Sequence, residues 1–277
     1  MSDLRRADRS AGTAFLRRAE RAEALADSSP TAAEPLQFAA SLYRAQARLA
    51  TRIAALHAEQ PLSGRLHADV DRLVPCHAEL LRFAATEGPR GLAVQAQERV
   101  PDTPSVARSR LLLWWNGSRG KTEDYLSRAL LRPYAEVLAG LALPPDRPHR
   151  TGYCPFCAGA PSIAARRSEP GADGAVRLLG CALCGGEWTF SRIRCPCCGE
   201  ADPQKLPSFA TETHPAVRIE ACEVCRRYVK SIDLTVDGRA VPEVDDLASL
   251  SMDLWASREG FERIEPGLAG VISFPLD

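Results

Sequence analysis

Cys154-Pro155-Phe156-Cys157, Cys181-Ala182-Leu183-Cys184, Cys195-Pro196-Cys197-Cys198 and Cys222-Glu223-Val224-Cys225 lie within one stretch, Tyr153 to Lys230. Nine of the ten cysteines fall there, eight of them in Cys-x-x-Cys pairs. The gap from the first pair to the second is 23 residues, and so is the gap from the third to the fourth. A shift of 41 positions lays the first half on the second. Cys154, Pro155, Cys157, Ala160, Ala175, Val176, Arg177, Cys181 and Cys184 then fall on Cys195, Pro196, Cys198, Ala201, Ala216, Val217, Arg218, Cys222 and Cys225. This is a duplicated metal-binding unit.

A Cys-x-x-Cys turn aims two sulfurs at one ion, and two such knuckles complete the tetrahedral thiolate set that zinc or rubredoxin-type iron takes. The repeat favours pairing within each half: Cys154/Cys157 with Cys181/Cys184, and Cys195/Cys198 with Cys222/Cys225. The rival joins the middle pairs, Cys181/Cys184 with Cys195/Cys198, and leaves the outer pairs to meet. The cofactor expected is two ions, iron or zinc, each in a four-cysteine site. Cys197 is an extra thiol: a replacement ligand, a reactive group near the metal, or a spectator. Glycine follows Cys184 and Cys198, where a left-handed residue relieves crowding, but alanine follows Cys157 and arginine follows Cys225. Between knuckles, Val176–Leu179 and Val217–Ile219 read as strands entering the second knuckle of each unit. Trp188–Phe190 and Tyr228–Val229 read as strands leaving it.

The N-terminal half reads as helices. Residues 1–28 favour helix by composition, and Ser29-Pro30-Thr31 is a break. Leu36, Ala39, Ala40, Tyr43, Ala47, Leu49, Ile53 and Leu56 recur at helical spacing across 34–59. Further helices are expected over 66–86, divided or kinked at Pro75, and over 91–99, 105–115 and 122–143, the last capped by Thr122. Cys76, in an apolar helical context, reads as a buried hydrophobe. Residues 143–151 are proline-dense and form a linker. After the cysteines, Pro242 and the acidic run that follows open a helix whose face is Leu247, Leu250, Leu254 and Trp255, stopped at Gly260. The resulting fold class is α+β. Its domains are a helical domain (1–142), the linker (143–151), a first four-cysteine unit (152–191), a second (192–235), and a C-terminal helix and tail (236–277).

The 277 residues carry a formal net charge of zero, with 45% hydrophobic and 25% charged residues. That balance gives no general pull toward nucleic acid or an anionic membrane. Each tetrathiolate site would add a charge of about −2. Arg166, Arg167, Arg177, Arg192, Arg194, Arg218, Arg226, Arg227 and Lys230 are placed to offset it. No apolar run reaches a bilayer span, and no export signal follows Arg5-Arg6, so membrane insertion is not expected and the compartment expected is the cytoplasm. In a cytoplasmic protein, paired cysteines at this spacing point to metal or redox chemistry. No nucleophile–base pair or phosphate loop is present, and no enzyme is expected.

Several runs extend the cysteine pattern. They are Tyr153-Cys154-Pro155-x-Cys157, Cys181-x-Leu183-Cys184-x-x-Glu187-Trp188, Arg192-x-x-Cys195-x-x-Cys198-Gly199, Cys222-x-x-Cys225-x-x-Tyr228-x-Lys230 and Val244–Leu250. Together they resemble the formate dehydrogenase accessory protein family, FdhE. The match is specific from about Tyr153 to Phe261 and weaker at Leu36–Gln46 and Leu130–Glu136. Departures are Ala158, Cys197 and Thr189-Phe190-Ser191. The resemblance implies a helical N-terminal domain, two rubredoxin-like metal folds with the eight paired cysteines as ligands, and a non-catalytic cytoplasmic maturation factor. Its partner would be the formate dehydrogenase catalytic subunit, with self-association into a homo-oligomer. Two other functions compete: a nucleic-acid-binding zinc-ribbon protein and a rubredoxin-like electron-transfer protein.

Overall fold

A computed structural model describes residues 4–5, 12–117, 124–169, 171 and 174–267. In order, the elements are β1 (Leu4–Arg5), α1 (Thr13–Ser28), α2 (Ala33–Glu59), α3 (Leu66–Glu87), α4 (Arg90–Arg99), α5 (Pro104–Trp115) and α6 (Tyr125–Gly140). Then come β2 (Pro161–Ser168), β3 (Ala175–Cys181), β4 (Glu187–Thr189), β5 (Ser208–Ala210), β6 (Val217–Ala221), β7 (Arg227–Asp233), α7 (Pro242–Ala248), α8 (Leu250–Arg258) and β8 (Glu262–Arg263). The architecture is α+β. The chain divides into two compact units: residues 6–20 with 38–148, and residues 1–5, 21–37 and 149–277. Both α1 and α2 therefore begin in one unit and end in the other.

The first of these units is helical. α2 follows the apolar periodicity, and Leu36, Tyr43, Leu49 and Ile53 are buried. α3 is unbroken at Pro75. Val70 and Leu73 before the proline and Cys76, His77 and Leu80 after it are all buried, so packing on both sides outweighs one missing backbone donor. α6 starts later than expected. Its cap is Asp124, which accepts from the Ser127 backbone N–H at 3.0 Å; Thr122 lies outside the described residues. Buried Asp69 organises the turn before α3, accepting from the backbone N–H of Ser63 and Gly64 and, at 2.7 Å, from the Tyr134 hydroxyl.

The second unit is a single eight-stranded sheet, ordered β1-β4-β3-β2-β7-β6-β5, with β8 paired to β7. Each cysteine repeat supplies an antiparallel meander, β2-β3-β4 and β5-β6-β7. The 41-residue shift holds residue by residue between the β3–β4 and β6–β7 ladders. Leu178↔Thr189, Leu179↔Trp188 and Gly180↔Glu187 become Ile219↔Lys230, Glu220↔Val229 and Ala221↔Tyr228. The two meanders join through a parallel pairing of β2 with β7, from Ile163↔Lys230 to Arg166↔Asp233. β2 and β5 are strands that the sequence pattern did not mark.

Strand alternation splits the sheet into two faces. Ile163, Val217, Ile219, Ala221, Tyr228 and Ile232 form one apolar cluster with Met252, Ala256 and Phe261. The expected C-terminal helix is two helices, because the chain leaves helical geometry at Ser249 (φ −115°, ψ 34°). The break resets the helical phase, so Met252 and Ala256 face the core while Leu254 and Trp255 are 39% and 36% exposed. Gly260, at φ +76°, ends α8 as its sequence suggests.

Lys230 sits in this core, fully buried. Its ammonium contacts Asp253 at 2.6 Å and Asp246 at 2.9 Å, and donates to the Asp246 carbonyl (2.7 Å) and the Ser249 hydroxyl (3.0 Å). Arg263 closes the network. It grips both Asp246 oxygens at 2.9 and 3.0 Å and donates to the Ser162 carbonyl at 2.9 Å. The Tyr228 hydroxyl donates to Asp253 at 2.7 Å. Burial pushes the Asp246 carboxyl up, but Arg263 and then Lys230 outweigh it and hold it below the ordinary range.

Lys230→Met removes one cation and leaves two carboxylates in a dry core. It should cost about 3–5 kcal/mol in denaturant unfolding of the full chain, and a loss under 1 kcal/mol would show that the network contributes little. In the helical unit, burial lowers the His77 pKa from 6.5 to about 4. Folding thus favours neutral His77. That contribution is complete above the unfolded pKa and is lost as pH falls from 6.5 toward about 4, to a total of about 3 kcal/mol. His77→Leu should flatten this part of the pH dependence of helical circular dichroism melts, and an unchanged profile would assign the acid sensitivity elsewhere.

Candidate metal centre

The four knuckles are one turn used four times. The backbone N–H of Cys154, Cys181, Cys195 and Cys222 donates to the carbonyl five residues on, at Gly159, Gly186, Glu200 and Arg227, over 2.8–2.9 Å. The residue after the second cysteine is left-handed in every case: Ala158 (φ 55°), Gly185 (64°), Gly199 (82°) and Arg226 (55°). Alanine and arginine accept there a conformation that costs a non-glycine residue about 1–2 kcal/mol. The knuckles at Ala158 and Arg226, irregular by sequence, are regular in geometry. Backbone N–H groups of Leu183 and Cys184 point at the Cys181 sulfur (3.3 and 3.4 Å), and that of Cys197 points at the Cys195 sulfur (3.4 Å).

These turns bring the sulfurs together within each half of the repeat. Cys154, Cys157, Cys181 and Cys184 form one cluster and Cys195, Cys198, Cys222 and Cys225 the other; within each, all four sulfurs lie within 4.8 Å of one another. The rival joining of the middle pairs does not occur. Contacts across the knuckles are Cys154–Cys184 at 3.6 Å and Cys157–Cys181 at 3.3 Å, then Cys195–Cys225 and Cys198–Cys222, both at 3.7 Å. Four sulfurs about 2.3 Å from a central ion stand about 3.8 Å apart. The second cluster has that spacing and the first is slightly tighter. The donor set fits one ion in each, zinc or ferrous iron. Cys197 is exposed and outside both sets, and Cys76 is buried in α3.

The clusters differ in their cover. All four cysteines of the first are buried, whereas in the second Cys198 is exposed and Cys225 half-buried. Hydrogen bonds from Cys157, then Cys181 and Cys184, hold the Cys154 thiol far below the ordinary range. Cys157 and Cys184 are raised well above it, first through their bonds to Cys154. In the second cluster burial raises Cys195 to about 11 and pushes Cys225 up as well. Cys198 is lowered: burial opposes this, but the Glu200 backbone N–H and the neighbouring thiols prevail. In both clusters a bound cation would displace thiol protons. Gly159 was not singled out by spacing. A Cβ there would stand 2.7 Å from the Cys181 sulfur and 3.2 Å from that of Cys157, so the first site closes only over glycine. The run Ala158-Gly159-Ala160, without bulk directly after a knuckle, was the available signal.

Residues 193–268, from the third knuckle to β8 and just beyond, match the family model "FdhE, C-terminal domain". That stretch of the chain is similar to the FdhE C-terminal domain. Similar curated proteins are the FdhE homologues of Aquifex aeolicus, 32% identical over 64% of each chain, and of Pseudomonas putida, 32% identical over 66% of this chain and 59% of the relative. The chain thus spans about three fifths of the length of these relatives. The crystal structure of the FdhE protein from Pseudomonas aeruginosa shares the fold, with a TM-score of 0.65, 97% and 98% coverage of the two chains and 23% identity. Tyr228, Lys230, Asp246 and Ser249, all within the matched stretch, belong to the buried network behind the sheet. No described helix is long and apolar enough to cross a membrane.

The unequal cover sets an order of release. Protein loaded with two zinc ions should lose one quickly to a chelator, from the cluster of Cys198, and the other slowly. Cys198→Ser should remove the fast phase and halve the zinc content. Release of both ions at one rate would contradict the asymmetry.

Proposed function

We propose that this chain is an FdhE-type cytoplasmic accessory protein for maturation of formate dehydrogenase. It binds that enzyme's catalytic subunit and carries no catalytic activity of its own. The observation that supports this most is the match to the FdhE C-terminal domain over residues 193–268, a stretch that holds the second cysteine cluster and the helices packed behind it. In this reading the eight paired cysteines ligate two ions. Each repeat alone is too small to bury a self-sufficient core, so the ions supply folding energy to the sheet that presents the binding surface.

Tagged protein should co-purify with the formate dehydrogenase catalytic subunit, and formate dehydrogenase activity should fall in a strain lacking the chain. Cys154→Ser and Cys222→Ser should each lose one ion and weaken co-purification. Normal enzyme activity in the deletion strain, with no subunit captured, would overturn the proposal.

A second reading rests on the exposure of Cys198. An ion with a solvent-facing thiolate is placed for electron exchange, as in rubredoxin-like carriers. A reversible visible spectrum of an iron-loaded second cluster would favour that reading. Zinc alone in protein purified without oxygen would exclude it.

A further inference from the structure

The sheet face opposite the apolar cluster carries charge. On β6, Arg218 and Glu220 alternate with Val217, Ile219 and Ala221, which point into the core. On β7, Arg227 alternates with Tyr228, and on β2 Arg166 lies on the side away from Ile163. Arg166 stands directly opposite Arg177 of β3 in the ladder. Arg177 donates to the Ser191 carbonyl at 3.0 Å, pinning the loop that carries Arg192 and Arg194 over the same face. The outcome is a cavity of about 250 Å³ lined by Arg166, Arg177, Arg192, Arg194, Arg218 and Arg227, with Cys195 and Cys222 also in its lining. Arg177 and Arg218 are equivalent positions of the repeat, so both halves contribute to it.

Charge within the lining is unbalanced. Its one carboxylate, Glu220, is taken by Arg177, at 2.7 Å from Nε and 2.6 Å from the terminal nitrogen. Arg166 and Arg227 pair with Asp233 (3.5 Å) and Glu262 (3.0 Å). Arg192, Arg194 and Arg218 have no carboxylate partner among the described residues. With Glu220, Asp233 and Glu262 counted, the six guanidiniums leave about +3, and a tetrathiolate ion at Cys195 and Cys222 would lower this to about +1.

We propose that this cavity is a binding site for a small phosphate-bearing anion. Guanidinium forks match phosphate oxygens two at a time, and three forks without a carboxylate partner suit the several oxygens of a phosphate group better than a monocarboxylate. The volume lies below the roughly 300–1,000 Å³ of pockets for drug-sized ligands, so it takes a phosphate or diphosphate group and leaves the remainder of a larger molecule outside. The site goes beyond the accessory role and does not depend on it.

Inorganic pyrophosphate is the probe, titrated calorimetrically into the metal-loaded full chain. Saturable binding of one pyrophosphate per chain, weakened by salt, is expected. The double variant Arg194→Gln/Arg218→Gln should lose affinity roughly tenfold or more, with metal content and melting temperature unchanged. Arg52→Gln, outside the cavity, should bind as the natural chain does. Absence of saturable binding, or an unaltered double variant, would overturn the site. So would a single-stranded oligonucleotide that binds through these arginines, with a steep salt slope, and that pyrophosphate fails to displace; that result would assign the face to nucleic acid. None of these outcomes bears on capture of formate dehydrogenase.

Discussion

An ammonium and a guanidinium without water around them must find their counter-charges inside the protein, and Lys230 and Arg263 find theirs in Asp246 and Asp253. The requirement is exacting, because removing one member strands the others. It decides where the C-terminal helices lie. The carbonyl of Asp246 and the hydroxyl of Ser249 reach Lys230 only where the helix breaks between α7 and α8. Arg263, reaching the Ser162 carbonyl, ties the same network to β2, the strand through which the first repeat meets the second. The apolar packing of Met252, Ala256 and Phe261 could slide along a greasy sheet; four charges with fixed partners cannot.

The same network accounts for a motif that spacing alone leaves opaque. Tyr228 and Lys230 follow the fourth knuckle, and Asp246 and Ser249 lie some sixteen to twenty-one residues further along. They travel together because they touch. The cysteine pattern was legible for a related reason: a tetrathiolate set demands fixed residue types at fixed intervals, and the 41-residue period carried the β3–β4 register onto β6–β7. What was not legible depended on tertiary context. β2 begins with a proline and carries two arginines, so its own sequence gives a weak strand signal; it forms because β3 and β7 flank it. Pro75 marked a division or a kink, and the helix runs through it with buried residues on both sides. The C-terminal apolar spacing read as one helix because the break at Ser249 is set by a lysine elsewhere in the chain.

Duplication has left the two clusters alike in bonds and unlike in surroundings. Every knuckle makes the same turn, down to left-handed Ala158 and Arg226. Yet Cys154, Cys157, Cys181 and Cys184 are sealed, while Cys198 reaches solvent and the arginine-lined cavity backs on Cys195 and Cys222. The first cluster is a rivet. The second is the one that the surroundings can influence, through solvent at Cys198 and through charge in the cavity lining.

The parallel meeting of β2 with β7 has a consequence for how such a sheet can grow. The last strand of one repeat docks on the first strand of the other, a head-to-tail contact that, unlike a two-fold one, does not close on itself. Each meander therefore has a donor edge and an acceptor edge, and a row of repeats could in principle lengthen without limit. Among the described residues the row ends at both sides. β1 occupies the free edge of β4, and at the other end β5 is only three residues long and preceded by Pro207. Short strands and proline are poor templates for pairing. The arrangement is a row of two, stopped by the strands at its edges.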